Sequence, residues 1–227
     1  FIDNMKMSSK TKFTLKLIEI LREKYGRFKW APRYDPISEL IYTILSQHTS
    51  DTNSDRAFKK LRANFGSLEN VAEASLGEIE DSIRTAGLYR IKSSRIKLIL
   101  LQIQKDVGSL DLGFLKNMKL KDAKSWLMKL DGIGPKTAAI VLCFSFGMPA
   151  MPVDTHIYRV SKRLGLIKPK VTAEQAHDIL ESIVPPKNVF EFHMQLINHG
   201  RSICKAINPR CDNCTLEKVC PSRNKYN

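Results

Sequence analysis

Leu130-Asp131-Gly132-Ile133-Gly134-Pro135-Lys136-Thr137-Ala138-Ala139 joins two segments of helical periodicity. Two glycines around one apolar residue make a tight hairpin, because glycine reaches positive φ and lets another backbone approach closely. Pro135 suits the first turn of the following helix, where its missing N–H is no loss. The N–H groups there point outward and the helix dipole adds partial positive charge. Gly132, Ile133 and Gly134 therefore read as a phosphate-binding site built of backbone. A plain glycine turn has the same Gly-x-Gly pattern; the helices on both sides strengthen the phosphate reading. Lys136 is then either a phosphate contact or a nucleophile, and spacing alone does not separate the two. A lysine amine attacks only when neutral, and its free pKa of about 10.4 keeps it protonated at neutral pH. A helix N-terminus among other cations disfavours the ammonium form.

On either side the periodicity is helical. Phe13, Leu17, Ile20, Leu21 and Tyr25 fit one face of a first helix closed by Gly26. Asp35-Pro36 reads as an N-cap with proline at the first helical position, and Leu40, Ile41, Ile44 and Leu45 form the stripe behind it. A helix from about Thr52 stops at Gly66, and Ser75 with Glu78 is a capping box whose helix ends at Gly87. An amphipathic basic helix is expected over Lys92 to Val107, and another from about Asp122 to Leu130. Thr172 with Gln175 is a second capping box; the last helix runs from Val189 to His199 and ends at Gly200. No alternating strand, long linker or fixed-period repeat interrupts them. The fold class is all-α, many short helices joined by tight loops.

The chain has 227 residues, one large domain or two small ones. Its composition is 43% hydrophobic and 26% charged, which excludes a disordered chain. Lys and Arg number 37 against 23 Asp and Glu, a net +14 that favours an acidic partner, most simply a nucleic acid backbone. No apolar run is long enough to span a membrane, and the opening Phe-Ile-Asp-Asn-Met-Lys-Met lacks the apolar core of a signal peptide. Of the five cysteines, Cys143 sits in an apolar stretch and reads as a small buried hydrophobe. The others follow Cys204-x6-Cys211-x2-Cys214-x5-Cys220, four thiols within 17 residues, and indicate one metal site. Cysteine thiolates suit both tetrahedral zinc and an iron–sulfur cluster, and the spacing leaves both open.

Between the hairpin and these cysteines lies Pro152-Val153-Asp154-Thr155-His156-Ile157-Tyr158-Arg159, where Asp154 reads as a helix N-cap. Taken in this order, hairpin, Asp154 stretch and terminal cysteines resemble the endonuclease III branch of the helix-hairpin-helix DNA glycosylases. The resemblance covers about Asp35 to Cys220.

The resemblance implies a bifunctional glycosylase and abasic-site lyase of base excision repair. Lys136 would be the nucleophile and Asp154 the catalytic carboxylate. Cys204, Cys211, Cys214 and Cys220 would hold a [4Fe–4S] cluster. The partner would be double-stranded DNA with damaged bases or abasic sites, bound by a monomer in a prokaryotic cytoplasm, at the nucleoid. It implies two helical domains with DNA in the groove between them, Lys136 and Asp154 facing each other across it. One is a six-helix barrel over 36–146 that includes the hairpin. The other is 1–35 plus 147–227 with the cluster loop at 201–220. Oxidised pyrimidines are the expected substrate. A thymine or uracil mismatched with guanine, 8-oxoguanine, or a non-catalytic DNA-binding module are the alternatives.

Flipping a base leaves a hole that side chains must fill. The relatives use a residue after the second helix, matching Ser46-Gln47-His48-Thr49-Ser50-Asp51, and an apolar one matching Leu88. His48 stands where the family has glutamine, with Gln47 beside it. A surface or capping role for His48 and ordinary packing for Leu88 are the plainer readings. Asp131 replaces a common proline and Pro135 a common arginine, so the hairpin lacks one family phosphate contact. His156 and Arg159 read as structural or phosphate contacts. Lys205, Arg210 and Lys218, in or beside the cysteine loop, read as further phosphate contacts.

Overall fold

A computed structural model describes residues 8–223; the opening stretch read against a signal peptide lies outside them. Eleven α-helices and five short 3₁₀ turns account for the described residues, with no strand among them. Of the described residues, those up to Trp30 and those from Pro149 form one compact unit, and Ala31–Met148 forms the other.

Within the Ala31–Met148 unit the helices are α2 (Pro36–Ser46), α3 (Asp51–Phe65), α4 (Leu68–Glu73), α5 (Leu76–Ile83), α6 (Tyr89–Val107), α7 (Leu120–Leu127) and α8 (Pro135–Phe146). Asp35 caps α2 by accepting from Ser38 N at 2.9 Å, with Pro36 behind it. Every residue from Ile37 to Leu45 is buried, because α2 packs on α3, α6 and α8 at once. Leu40, Ile41, Ile44 and Leu45 are fully covered. Each such side chain contributes about 2 kcal/mol by leaving water. Glu39, also fully covered, is held by the Arg33 guanidinium, whose Nε donates to Oε2 at 3.1 Å. Such burial pins the end of α2, and with it Gln47 and His48.

Two expectations shift in this unit. The helix expected from Lys92 begins at Tyr89, and Lys92 lies in the interior rather than on a basic face. The helix expected over Asp122 to Leu130 is Leu120–Leu127, because Met128 to Leu130 already turn towards the hairpin.

The other unit holds α1 (Ser9–Tyr25), α9 (Thr155–Arg163), α10 (Ala173–Ile183) and α11 (Val189–Ser202). The buried face of α1 is Thr14, Leu17, Ile18 and Leu21; Phe13, Ile20 and Tyr25 flank it, half-buried. It packs on α10 and α11. The Arg22 guanidinium grips Glu191 of α11 with two bonds, at 2.9 and 2.7 Å. Gly200 does not end α11 but lies inside it. A β-carbon there would stand 2.9 Å from that of His156, so glycine permits the close approach of α9 and α11.

Candidate active site and cysteine loop

The hairpin forms as its residues dictate. Gly132 takes φ 70°, a left-handed value open to glycine. Ile133 N donates back to Leu130 O at 3.1 Å, and the Ile133 side chain is buried beneath the turn. A β-carbon at Gly132 would collide with the Arg95 guanidinium from α6. Gly134 starts α8 with extended backbone and no side chain to cap it, and Pro135 brings no N–H. Lys136 is exposed in that first turn, while Thr137, Ala138 and Ala139 turn inward. The lysine thus stands at the open, electropositive end of an apolar helix anchored against α2.

Two turns flank this helix start within the same unit. After α2, Gln47 closes the helix and His48, exposed, takes φ 54°. Gln47 does not project outward. Its Oε1 accepts from Arg95 at 3.1 Å, and its Nε2 reaches Thr137 Oγ1 at 3.5 Å. Gln47 and Arg95 therefore tie the end of α2 to the hairpin, and His48 is the residue of this pair left facing solvent. Before α6, Gly87 and Leu88 both have positive φ, 64° and 48°. Leu88 is 53% exposed, so ordinary core packing does not account for it. A non-glycine residue in this region costs roughly 1 kcal/mol or more, and such strain persists only where the surroundings over-determine it.

In the other unit Asp154 is the N-cap of α9, its Oδ1 accepting from Ile157 N at 2.7 Å. Sequence reasoning missed what leads into it. Met151 N donates to Glu181 Oε1 at 2.8 Å. Nδ1 of buried His177 lies 2.8 Å from Met151 O, and Nδ1 of buried His193 lies 3.1 Å from Pro152 O. Side chains from α10 and α11 thus fix the extended approach to the aspartate. The one available signal was that His177 and His193 sit at apolar-face positions of their helices.

Cys204, Cys211, Cys214 and Cys220 line a single small cavity, of about 30 Å³, with His199 and Arg163, and none is disulfide-bonded. Among the described residues no three His, Cys, Asp or Glu side chains converge on the coordination sphere of one ion; the thiols line a common wall instead. Burial pushes the Cys214 thiol up to about 11, with the neighbouring thiols adding to it, and raises Cys220 for the same reason. Leu216 is the loop's one fully buried apolar side chain. The loop is otherwise held from α9. Arg159 donates to Cys204 O at 3.0 Å and Gly200 O at 2.9 Å. Arg163 donates to Cys204 Sγ at 3.3 Å and Lys205 O at 2.6 Å. Arg159 is therefore structural, and His156 lies against its guanidinium at 3.2 Å. His199 stands between Tyr25 Oη, 3.1 Å from Nδ1, and Cys214 Sγ, 3.6 Å from Nε2. Burial lowers its pKa to about 4, so the ring is neutral at physiological pH. Lys205, Arg210 and Lys218 are exposed on the loop. Cys143 is fully buried in α8.

An all-α chain with a glycine hairpin opening an apolar helix and four cysteines around one terminal cavity has the build of a helix-hairpin-helix DNA repair protein. The model of the HhH-GPD superfamily base excision DNA repair proteins matches residues 41–186. Endonuclease III of Thermotoga maritima is 36% identical over 206 residues, spanning 89% of this chain and 91% of its own. Endonuclease III of Bacillus subtilis is 33% identical, spanning 91% and 92%. A trapped endonuclease III–DNA covalent intermediate superposes with TM-score 0.79 at 30% identity, over 96% of this chain and 99% of its own. The chain belongs to the HhH-GPD superfamily, on its endonuclease III branch, and is a base excision repair DNA glycosylase/lyase.

Proposed function

We propose that Lys136 and Asp154 carry the chemistry of this chain on double-stranded DNA holding an oxidised pyrimidine or an abasic site. The observation that carries the reading is the exposed Lys136 at the uncapped, glycine-built start of α8. In its neutral form the Lys136 amine bonds to C1′ of the flipped nucleotide. The glycosidic bond breaks, and its electron pair leaves with the base, which takes up a proton. A proton leaves Nζ, whose lone pair then opens the C1′–O4′ bond; O4′ keeps that bond's electron pair and takes up a proton, and a protonated imine is left at C1′. Removal of a proton from C2′ then lets the C3′–O bond break, its electrons departing with the 3′ phosphate. Asp154 stabilises the positive charge that builds on the sugar, or takes the lysine's proton.

The hairpin N–H groups of Gly132, Ile133 and Gly134 are the proposed phosphate seat. His48 and Leu88, each exposed in a left-handed turn, are the proposed stack fillers, with Gln47 bracing the first. The four cysteines fit a [4Fe–4S] cluster, because their thiols line one shared cavity. When bound, the cluster supplies four iron–thiolate bonds, which fix a loop that has only Leu216 as core. A monomer acting at a prokaryotic nucleoid is the proposed setting. Relatives from Thermotoga maritima and Bacillus subtilis support the prokaryotic part of it alone.

Borohydride trapping on duplexes with thymine glycol, dihydrouracil or an abasic site tests the reading. The wild type should give a covalent adduct and Lys136→Gln none; a wild type that never traps on any of them defeats it. Because His48 replaces the family glutamine at an exposed filler position, the panel also carries mismatched thymine and uracil and 8-oxoguanine. Preference for those substrates would replace oxidised pyrimidine as the specificity.

A further inference from the structure

The turns that present His48 and Leu88 share one buried anchor. Lys92 Nζ donates to Leu45 O at 2.7 Å and to Ala86 O at 2.8 Å. The first carbonyl lies in the last turn of α2, three residues before His48; the second closes the 3₁₀ turn Arg84–Ala86, two residues before Leu88. Such terminal carbonyls have no partner within their own helix and carry its partial negative charge, which suits an ammonium. Lys92 is 2% exposed, and burial alone, with no carboxylate offsetting it, pushes its pKa down to about 8.

A buried ammonium paired only with backbone is a poor device for stability. Desolvating it costs several kcal/mol, and a methionine or leucine of similar reach would avoid that penalty. What an apolar residue could not do is bind two carbonyls from separate segments at once. Both segments go on to a non-glycine residue with positive φ, His48 at 54° and Leu88 at 48°. Strain at two exposed side chains, on either side of one internal bridge, is what an element built to hold a fixed spacing requires.

We propose that Lys92 is a positioning residue that sets the spacing of the His48 and Leu88 turns, so that filling of the vacated stack depends on it while the amine chemistry does not. This rests on the reading of those two residues as stack fillers.

The test uses the full chain and a duplex with one abasic site flanked by 2-aminopurine, whose fluorescence rises when a filler unstacks it. Lys92→Met should lose most of that rise and bind the duplex about tenfold more weakly, the effect of one lost hydrogen-bonded contact on a binding constant. Nicking of a single-stranded abasic oligonucleotide, which has no stack to fill, should stay within about twofold of wild type, below the size of such a contact. In a His48→Ala, Leu88→Ala background, Lys92→Met should add little further loss, because no filler is left for it to position. Wild-type fluorescence and binding in Lys92→Met overturn the proposal, as does a full further loss from Lys92→Met in the background that lacks both fillers. Equal loss of single-strand and duplex nicking in a folded variant also overturns it. If Lys92→Met does not fold, Lys92→Gln, which keeps one donor group for one of the carbonyls, goes through the same assays. Failure of the wild type to nick either abasic DNA is a different result. It defeats the catalytic reading, while the fluorescence and the substitution cycle still judge the role of Lys92.

Discussion

One substitution separates the N-cap role of Asp154 from its proposed catalytic role. As N-cap it accepts from Ile157 N at 2.7 Å, which needs an oxygen but not a charge. As catalytic carboxylate it needs the charge. Asparagine is as good a cap as aspartate, whereas alanine gives up about 1 kcal/mol at such a position. Asp154→Asn should therefore melt within a degree or two of wild type, the shift that a few tenths of a kcal/mol produces, while losing most base excision. Asp154→Ala should lose both excision and several degrees. Thermal melts beside single-turnover excision decide it; full excision by the asparagine variant removes Asp154 from the chemistry. At this scale the sequence was legible wherever a signal is local. Gly132, Pro135 and the capping pairs depend on backbone rules that act over three or four residues. Arg95 and Lys92 were not legible, because their partners, Gln47 and the Gly132 turn for one and Leu45 O and Ala86 O for the other, come from elsewhere in the fold.

Elements were legible in type and less so at their ends. Asp35-Pro36 and the Ser75–Glu78 and Thr172–Gln175 boxes start helices where those patterns fall. Gly200 misleads, because glycine is a frequent helix terminator yet here lies inside α11. The reason is tertiary: α9 crosses so closely that a β-carbon would meet that of His156 at 2.9 Å and Val160 Cγ2 at 3.3 Å. Gly200→Ala thus sets two effects against each other. Helix propensity favours alanine by about 1 kcal/mol. Overpacking two helices that cannot move apart freely costs about 1–3 kcal/mol. The two nearest atoms are a β-carbon and a branched methyl, not flexible side-chain ends, so packing wins and the melting temperature should fall. A rise in the melting temperature on Gly200→Ala would mean that α9 and α11 give way at no cost. The same crossing supports Arg159, whose bonds to Gly200 O and Cys204 O tether the cysteine loop, so the variant should also hold the proposed cluster less firmly.

For the whole molecule, the sequence shows a charge excess of +14 but not which cations act together. The fold supplies one grouping: Lys205, Arg210 and Lys218 are exposed on a loop whose core is a single leucine. That loop keeps its shape through Arg159, Arg163 and whatever bonds its four thiols make. Burial raises the Cys214 thiol to about 11, so in metal-free protein it stays protonated and uncharged at neutral pH. Without the proposed cluster the four thiols no longer share a bonding centre, and the three cations should lose their fixed places. Each phosphate that a protein neutralises on duplex DNA adds about 0.9 to the slope of log affinity against log salt. Removing the proposed cluster by chelation after oxidation should therefore lower the slope on undamaged duplex by about 1 to 3, one phosphate or more for the three side chains. Limited proteolysis of the same sample should cut between Cys204 and Cys220 first, because Leu216 is the only apolar core that stretch has. Salt titrations of the iron-loaded and iron-free proteins read the first outcome directly. An unchanged slope, with the loop shown by proteolysis to have opened, would mean that these cations never touch the DNA backbone.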